Sequence, residues 1–271
     1  MTPELLRAWE RRYGLLQPDR SEGGLRLYTP EDLERVLRMQ QHLSAGIAAA
    51  EAAALAAAGG SETEGVAFDP VASRRDLGAA LEAFDEPSAQ AVLDSLFARA
   101  GLDALLAEVL LPYLHELGER WERGEISVAQ EHFASSVLRG RMLGLARGWG
   151  RGFGPRVLLT CLPDERHDFG LIAFGLALRD RGFRIAYLGD DTPIDSIASA
   201  ADAVGPAWVV VSAVDPTRYR ELRSELRALA RKHPVCIGGP GATEDEARAI
   251  GATYLSGGAV EEAERLAALV A

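Results

Sequence analysis

The stretch RVLLTCLPDERHDFG, residues 156–170, decides how the C-terminal half of this chain folds. It begins with a short run of branched and apolar residues, typical of a buried β-strand over residues 157–162, and passes through a polar loop into a helix. Similar runs follow at residues 184–188, 208–211, 235–237 and 253–255, with helical segments between them. This alternation predicts a doubly wound sheet of five parallel strands covered by helices.

The loop after the first strand is where such a sheet would bind a ligand, because ligands of doubly wound sheets lie at the carboxyl ends of the strands. In this loop His167 stands between two acids, Glu165 and Asp168. Imidazole binds transition metals well, and a neighbouring carboxylate can accept its other ring proton. A lone histidine at a loop tip is more often simply solvated, so a metal site needs companion residues. No Gly-x-Gly-x-x-Gly motif follows residue 162, which disfavours a nucleotide site.

Companion residues do occur, and together they resemble the signature of cobalamin-binding domains. Glu165-x-His167-x-x-Gly170 resembles the D-x-H-x-x-G motif of that family. The loops after the third and fourth strands carry counterparts of its S-x-L and G-G motifs, namely Ser212 with Val214 and Gly238 with Gly239. Glutamate in place of aspartate and valine in place of leucine are conservative departures.

The resemblance implies a flavodoxin-like domain over residues 155–271 that binds cobalamin, with His167 as the lower cobalt ligand. Asp168 and Gly170 belong to the same predicted cofactor site. Ser212 would bond the base-bearing tail of the cofactor. The paired glycines would let that tail lie against bare backbone.

A second segment, between residues 77 and 150, has apolar residues at helical spacing and predicts a small helical bundle. Gly124 is typical of the residue that ends a helix, and Ser127 with Gln130 forms a capping box that begins the next. Trp121 and His132 would then face one junction. From the spacing alone, a packed tryptophan beside an exposed Glu-His pair is the commoner arrangement.

Residues 121–132 resemble the W-x9-E-H motif of CarH-type photoreceptors, cobalamin-dependent regulators whose helical bundle caps the upper face of adenosylcobalamin. The resemblance implies that Trp121 and Val128 pack on the adenosyl group and that Glu131 hydrogen-bonds it. It also implies that His132 becomes the upper cobalt ligand once light removes that group.

The N-terminal stretch RAWERRYG, residues 7–14, and the Gly-Gly turn and helix after it resemble the second helix and wing of MerR-type winged helix-turn-helix domains. The resemblance implies a DNA-binding domain over residues 1–58, joined to the bundle by a linker at residues 59–76. Its DNA contacts would come from Arg7, Arg11, Arg12, Tyr13, Arg26 and Tyr28. The first helix of that domain would lie upstream of Thr2, so weak and salt-dependent DNA binding is expected.

The formal net charge of −11 argues against indiscriminate nucleic-acid binding, since phosphate neutralisation needs clustered cations. Residues 1–28 nevertheless hold five arginines against four acids. With no apolar run long enough to span a membrane and no secretory leader, the chain is expected to be cytoplasmic. Cys161 and Cys236 both fall in predicted strands, which excludes a disulfide framework.

The order of the three blocks is that of CarH-type regulators and implies a light-responsive transcriptional repressor rather than an enzyme. Adenosylcobalamin would hold a homotetramer on a DNA operator in the dark. Two alternatives stay open. One is a corrinoid carrier subunit of a methyltransferase or mutase, and the other is a cobalamin sensor that does not respond to light.

Overall fold

A computed structural model describes residues 3–16, 18–20, 26–44, 49–58 and 68–269 of the chain. The chain divides into two compact units, Met1–Ala67 and Phe68–Ala271. Among the described helices, none is long and apolar enough to cross a membrane.

The N-terminal unit has the helix, paired strands and second helix that the sequence predicted. Helix α1 (Pro3–Tyr13) precedes the antiparallel strands β1 (Asp19–Arg20) and β2 (Arg26–Leu27), and helices α2 (Pro30–Ser44) and α3 (Ala49–Ala58) follow. Trp9 of α1 and Met39 of α2 are buried together with alanines of α3. The predicted helix and wing are therefore confirmed, and the Gly23-Gly24 turn lies outside the described residues.

The second unit begins with a block of helices. These are α4 (Pro70–Glu82), α5 (Glu86–Arg99), α6 (Leu102–Ala104), a π-helical turn (Leu105–Leu110), α7 (Leu111–Glu122) and α8 (Val128–Leu145). The predicted caps between the last two helices are present. Gly124 has a positive φ of 71°, and Ser127 and Gln130 form the reciprocal bonds of a capping box. The predicted bundle is therefore confirmed.

Helix α4 begins earlier than the sequence led us to expect. Asp69 accepts hydrogen bonds from the backbone N–H groups of Val71, at 2.9 Å, and Ala72, at 3.1 Å, and Pro70 occupies the first position of the helix. Residues 70–76, which we assigned to the linker, are helical. Residues 59–67 of that predicted linker lie outside the described part of the chain.

The C-terminal part of the second unit is a parallel sheet with helices on both faces. Its strands are β3 (Arg156–Cys161), β4 (Arg184–Gly189), β5 (Trp208–Ser212), β6 (Val235–Gly238) and β7 (Thr253–Tyr254), in the order β4-β3-β5-β6-β7. Its helices are α9 (Phe169–Asp180), α10 (Ile194–Val204), α11 (Pro216–Glu221), α12 (Arg223–Ala230), α13 (Glu244–Ile250) and α14 (Ala259–Ala268). The predicted five-stranded doubly wound sheet is confirmed. Its strand order reverses between β3 and β5, which places the ligand crevice beside the loops that follow them.

The helical block and the sheet share one hydrophobic core. Leu106 and Leu138 of the helices belong to the same buried cluster as Leu159 of β3 and Ile172 of α9. The two blocks that we predicted as separate domains therefore lie within one compact unit.

We expect Asp69→Ala to lower the free energy of unfolding by about 1 kcal/mol, because two backbone N–H groups at the start of α4 lose their acceptor. Asp76 is exposed in the same helix and provides a matched control. Asp76→Ala should be neutral or slightly stabilising, since alanine has the higher helix propensity. Urea unfolding followed by circular dichroism measures both changes, and equal losses would contradict the capping role.

Candidate functional site

A buried carboxylate holds His167 beyond the end of β3. Nδ1 of His167 lies 2.6 Å from Oε1 of Glu165, and the backbone N–H of His167 donates to the same oxygen over 2.8 Å. Oε2 of Glu165 accepts from the backbone N–H of Val214, 2.6 Å away in the loop after β5. Glu165 is 3% exposed, whereas the His167 side chain is 74% exposed. The loop therefore presents an imidazole to solvent while fixing one of its ring nitrogens.

The charge of Glu165 determines the tautomer of this imidazole. Burial raises the pKa of Glu165, but the hydrogen bonds from the backbone of His167 and Val214 and from the His167 ring lower it more, so the pKa lies below its usual value of 4.5. At neutral pH the carboxylate is ionised and can only accept hydrogen bonds. The proton of neutral His167 is therefore on Nδ1, and Nε2 keeps a lone pair that can bind a metal ion.

A cavity of about 530 Å³ lies beside His167 at the carboxyl ends of the strands. Six of the residues predicted from the sequence line it, namely His167, Gly170, Ser212, Val214, Gly238 and Gly239. Leu111 and Leu114 of α7 and Phe174 of α9 supply apolar walls. Apolar walls with a few placed polar groups are typical of small-molecule sites.

Glycines expose bare backbone in the lining of this cavity. A Cβ atom at Gly170, in the first turn of α9, would meet no atom within 4 Å and would project into open space. Gly239 has a φ of +86°, and a Cβ there would lie 2.7 Å from Oγ of Ser212 and from the carbonyl oxygen of Ala213. A side chain at Gly239 is thus excluded by conformation and by contact. Bare backbone, a hydroxyl and a free imidazole nitrogen fit a cobalamin, whose tail needs a slot and whose cobalt needs a nitrogen ligand.

Two residues of this region escaped the sequence reasoning. The hydroxyl of Tyr219, which is fully buried, lies 2.7 Å from the carbonyl oxygen of Gly238 and 3.1 Å from that of Val211, so it ties together the ends of β5 and β6. His115 of α7 lines the cavity, and its Nε2 lies 3.2 Å from Oε1 of Glu119. His115 follows Leu111 by one helical turn, and this spacing is the signal that could have placed it there.

Asp168, which we predicted as a cofactor residue, binds other protein groups. Its carboxylate is buried and accepts hydrogen bonds from Nη2 of Arg139, at 2.6 Å, and from the hydroxyl of Tyr187. Sequence reasoning did not single out either partner. The predicted contact of Asp168 with a cofactor stays a prediction.

The residues predicted to cover the upper face of the cofactor lie at the end of α7 and the start of α8, outside the lining of the cavity. Trp121 and Val128 are 46% and 53% exposed, which is high for large apolar side chains. Glu131 accepts a hydrogen bond from Oγ of Ser135 at 2.6 Å, and its other oxygen lies 3.6 Å from Nε2 of His132. The tryptophan is therefore not packed in the core, although its hydropathy alone predicts burial.

Most of the predicted DNA contacts in the N-terminal unit are exposed, namely Arg7, Arg11, Arg12 and Tyr28. Tyr13 is partly buried, with the Arg12 guanidinium 5.7 Å from its ring centre. Arg26 of β2 instead contacts Glu10 of α1, with Nε 2.7 Å from Oε2. This ion pair joins the wing strand to the helix, so Arg26 has a structural contact besides its predicted role.

Comparison with known families agrees with this division of the chain. Residues 1–58 match the MerR HTH family regulatory protein, and residues 73–143 and 155–269 each match a B12 binding domain. The chain is 34% identical over 258 residues to the HTH-type transcriptional repressor CarH of Myxococcus xanthus, covering 90% of this chain and 86% of that protein. It is also 34% identical over 247 residues to the repressor CarA of the same organism, covering 88% and 82%.

The monomethylamine corrinoid protein of Methanosarcina barkeri, 18% identical, has the same fold with a TM-score of 0.62 over 74% of this chain and 100% of that one. Fold, site and family matches together define a cobalamin-binding transcription regulator of the MerR type. The chain belongs to the family of the CarH and CarA repressors. The resemblance inferred from the sequence motifs is therefore confirmed.

We expect Glu165→Gln to weaken hydroxocobalamin binding about 10- to 100-fold, the usual effect of removing the partner of a metal-bound histidine. A glutamine oxygen can still accept from His167, but its NH2 group then faces the N–H of Val214. Asp164→Asn is the matched control, because Asp164 is exposed in the same loop with a φ of 60°, which asparagine tolerates. Absorption titrations measure both affinities, and equal values for the two variants would remove Glu165 as the support of the ligand.

Proposed function

We propose that this chain is a light-responsive repressor that uses adenosylcobalamin to control its assembly and its binding to an operator. The main observation behind this proposal is the exposed imidazole of His167, which Glu165 fixes at the mouth of a cavity. The exposed Trp121 and His132 form a second arrangement in the same unit. The first arrangement suits any cobalamin protein. The second suits one that recognises the group above the cobalt.

On the lower side, Nε2 of His167 would ligate the cobalt, and the tail would enter the cavity against Gly238 and Gly239. Ser212 would be its polar contact. Glu165 keeps the imidazole in the tautomer that a metal requires. The same carboxylate binds the N–H of Val214. The loops after β3 and β5 would therefore respond together to a ligand on His167.

On the upper side, α8 would carry the residues that meet the adenosyl group. Val128, His132 and Arg139 follow one another at intervals of four and seven residues, so they share one helix face. Arg139 contacts Asp168, the neighbour of His167, and this contact supports the placement of that face toward the cobalt. Trp121 and Val128 would pack on the adenosyl group, and Glu131 would accept a hydrogen bond from it.

When bound, adenosylcobalamin supplies a cobalt–carbon bond that light can break. Trp121, Val128 and Glu131 would hold the adenosyl group while that bond is intact, and His132 would supply an imidazole nitrogen to the cobalt once the group has left. A ligand can shift an assembly equilibrium only by binding one assembly state better than the other. We infer that the dark ligand favours a homotetramer and that the light product does not.

Assembly would also determine DNA affinity. The winged helix offers few cations within a chain of net charge −11, so one copy binds DNA weakly. Linking several copies raises their effective concentration at one operator without any new contact. Loss of the tetramer would therefore release the DNA.

We expect the protein loaded with adenosylcobalamin to be a tetramer in the dark that retards a duplex selected from a random DNA pool, and green light to end both properties. Size-exclusion chromatography with light scattering and gel retardation measure them, with cyanocobalamin as the control that lacks the adenosyl group. A DNA complex that survives illumination would favour a light-independent sensor. Cobalamin binding without any DNA affinity would favour a corrinoid carrier.

We expect His132→Ala to leave dark assembly intact, because other residues contact the adenosyl group. It should change the visible spectrum of the illuminated protein and speed the loss of cofactor, since an imidazole ligand is removed. His233→Ala is the matched control, because His233 lies before β6, at the opposite end of the strands from the cavity, and contacts Asp202. If wild type and His132→Ala give the same illuminated spectrum and release rate, His132 is not a ligand.

A further inference from the structure

Asp168 joins three elements of the second unit at one buried carboxylate, which is 1% exposed. Arg139 of α8 reaches it with Nη2, 2.6 Å from Oδ2, and with Nε, 3.2 Å from Oδ1. The hydroxyl of Tyr187, in β4, donates to Oδ2. Asp168 itself follows His167 and precedes the first residue of α9. One side chain therefore holds a helix of the bundle, a strand of the sheet and the loop of His167.

The two partners of Asp168 keep their protonation states at neutral pH. The hydrogen bond to Asp168 raises the pKa of Arg139, and burial together with the same carboxylate raises the pKa of Tyr187. Arg139 therefore stays charged and Tyr187 stays protonated.

The joint connects the two elements that carry the histidines assigned to cobalt in the proposed function, namely α8 and the loop after β3. Arg139 and His132 are seven residues apart in α8, so they share one face, separated along the axis by about 10 Å. At the other end of the contact, Asp168 is the direct neighbour of His167. The same ion pair thus connects α8 to the loop.

A second ion pair connects the same two blocks at the far end of α9. Nη2 of Arg181 lies 2.7 Å from Oδ2 of Asp103, and Nη1 lies 3.3 Å from Oδ1. Helix α9 has 12 residues, so this pair is separated from the His167 loop by a helix about 18 Å long. It holds the helical block on the sheet without contacting the loop.

We propose that Arg139 and Tyr187 are positioning residues for His132 and His167, acting through Asp168, so that the position of α8 and the conformation of the His167 loop depend on each other. The assignment of the two histidines to cobalt rests on the proposed function, whereas the mechanical coupling does not. Breaking the joint would leave the blocks attached by the shared core and by the Arg181–Asp103 pair. It would free the loop and the start of α8 from each other.

The first test uses hydrogen exchange in the cofactor-free protein. Asp168→Asn keeps the side-chain shape and removes its charge, and Asp103→Asn makes the same change at the control pair. We expect Asp168→Asn to raise exchange about tenfold in both residues 128–139 and residues 162–168, because an ion pair with a partly exposed partner is lost. Asp103→Asn should leave both segments at the wild-type rate. Tyr187→Phe, which keeps the ion pair, should raise exchange less in the same two segments.

The second test uses the visible spectrum of protein loaded with adenosylcobalamin and then illuminated. A positioning role predicts that Asp168→Asn reduces the part of the spectral change that depends on His132, while Asp168→Glu partly restores it. A purely stabilising role would lower the unfolding midpoint without changing this spectrum. Asp103→Asn should give the wild-type spectrum.

Equal exchange in Asp168→Asn and Asp103→Asn would overturn the proposal, as would an increase in only one of the two segments. If Asp168→Asn does not fold, Arg139→Gln makes the same comparison, because the Arg139 side chain is 39% exposed and its removal leaves no cavity in the core. Failure of the wild type to bind adenosylcobalamin would contradict the proposed function, but it would leave the exchange result valid.

Discussion

A single buried carboxylate, that of Glu165, determines the geometry of the ligand edge. A buried charge is costly unless hydrogen bonds compensate it, and here the compensation comes from two loops. His167 donates from its backbone and its ring, and Val214 donates from its backbone. These loops can meet because β3 pairs directly with β5, with Cys161 opposite Ser212. The strand order thus brings the two loops together. The loop conformation and the histidine tautomer then follow, because the buried charge of Glu165 must be hydrogen-bonded.

The features that sequence reasoning predicted correctly are those decided within a few residues. Strand runs, the Gly124 helix end and the Ser127–Gln130 capping box each depend on side chains that are close along the chain. The contact between Glu165 and His167 is equally local, because the two residues are two positions apart. The start of α4 was misplaced, although Asp69 carried a signal in an acid followed by proline, because the polar run around it suggested a linker.

The contacts that sequence reasoning missed are those made across elements. Asp168 meets Arg139 and Tyr187 at separations of 29 and 19 residues, and Tyr219 reaches Gly238 across 19. Their positions depend on how α8 and α11 pack on the sheet. The spacing of residues along the sequence does not predict that packing. The exposure of Trp121 is a similar case, because hydropathy predicts burial and the side chain is 46% exposed.

The second unit combines a closed core with an open edge, and this combination explains how a ligand could control assembly. Leu106, Leu138 and Ile172 are buried between the helical block and the sheet. Trp121, Val128 and Val214 instead expose apolar surface, and covering such surface contributes about 25 cal/mol per Å². A flat ligand held between these residues would therefore strengthen the contact between helices and sheet. Trp121 and Val128 belong to the helical block, and Val214 belongs to the sheet. A change in the group above the cobalt would therefore alter only the contacts that the ligand makes with the helices. The surface available for assembly would change with those contacts.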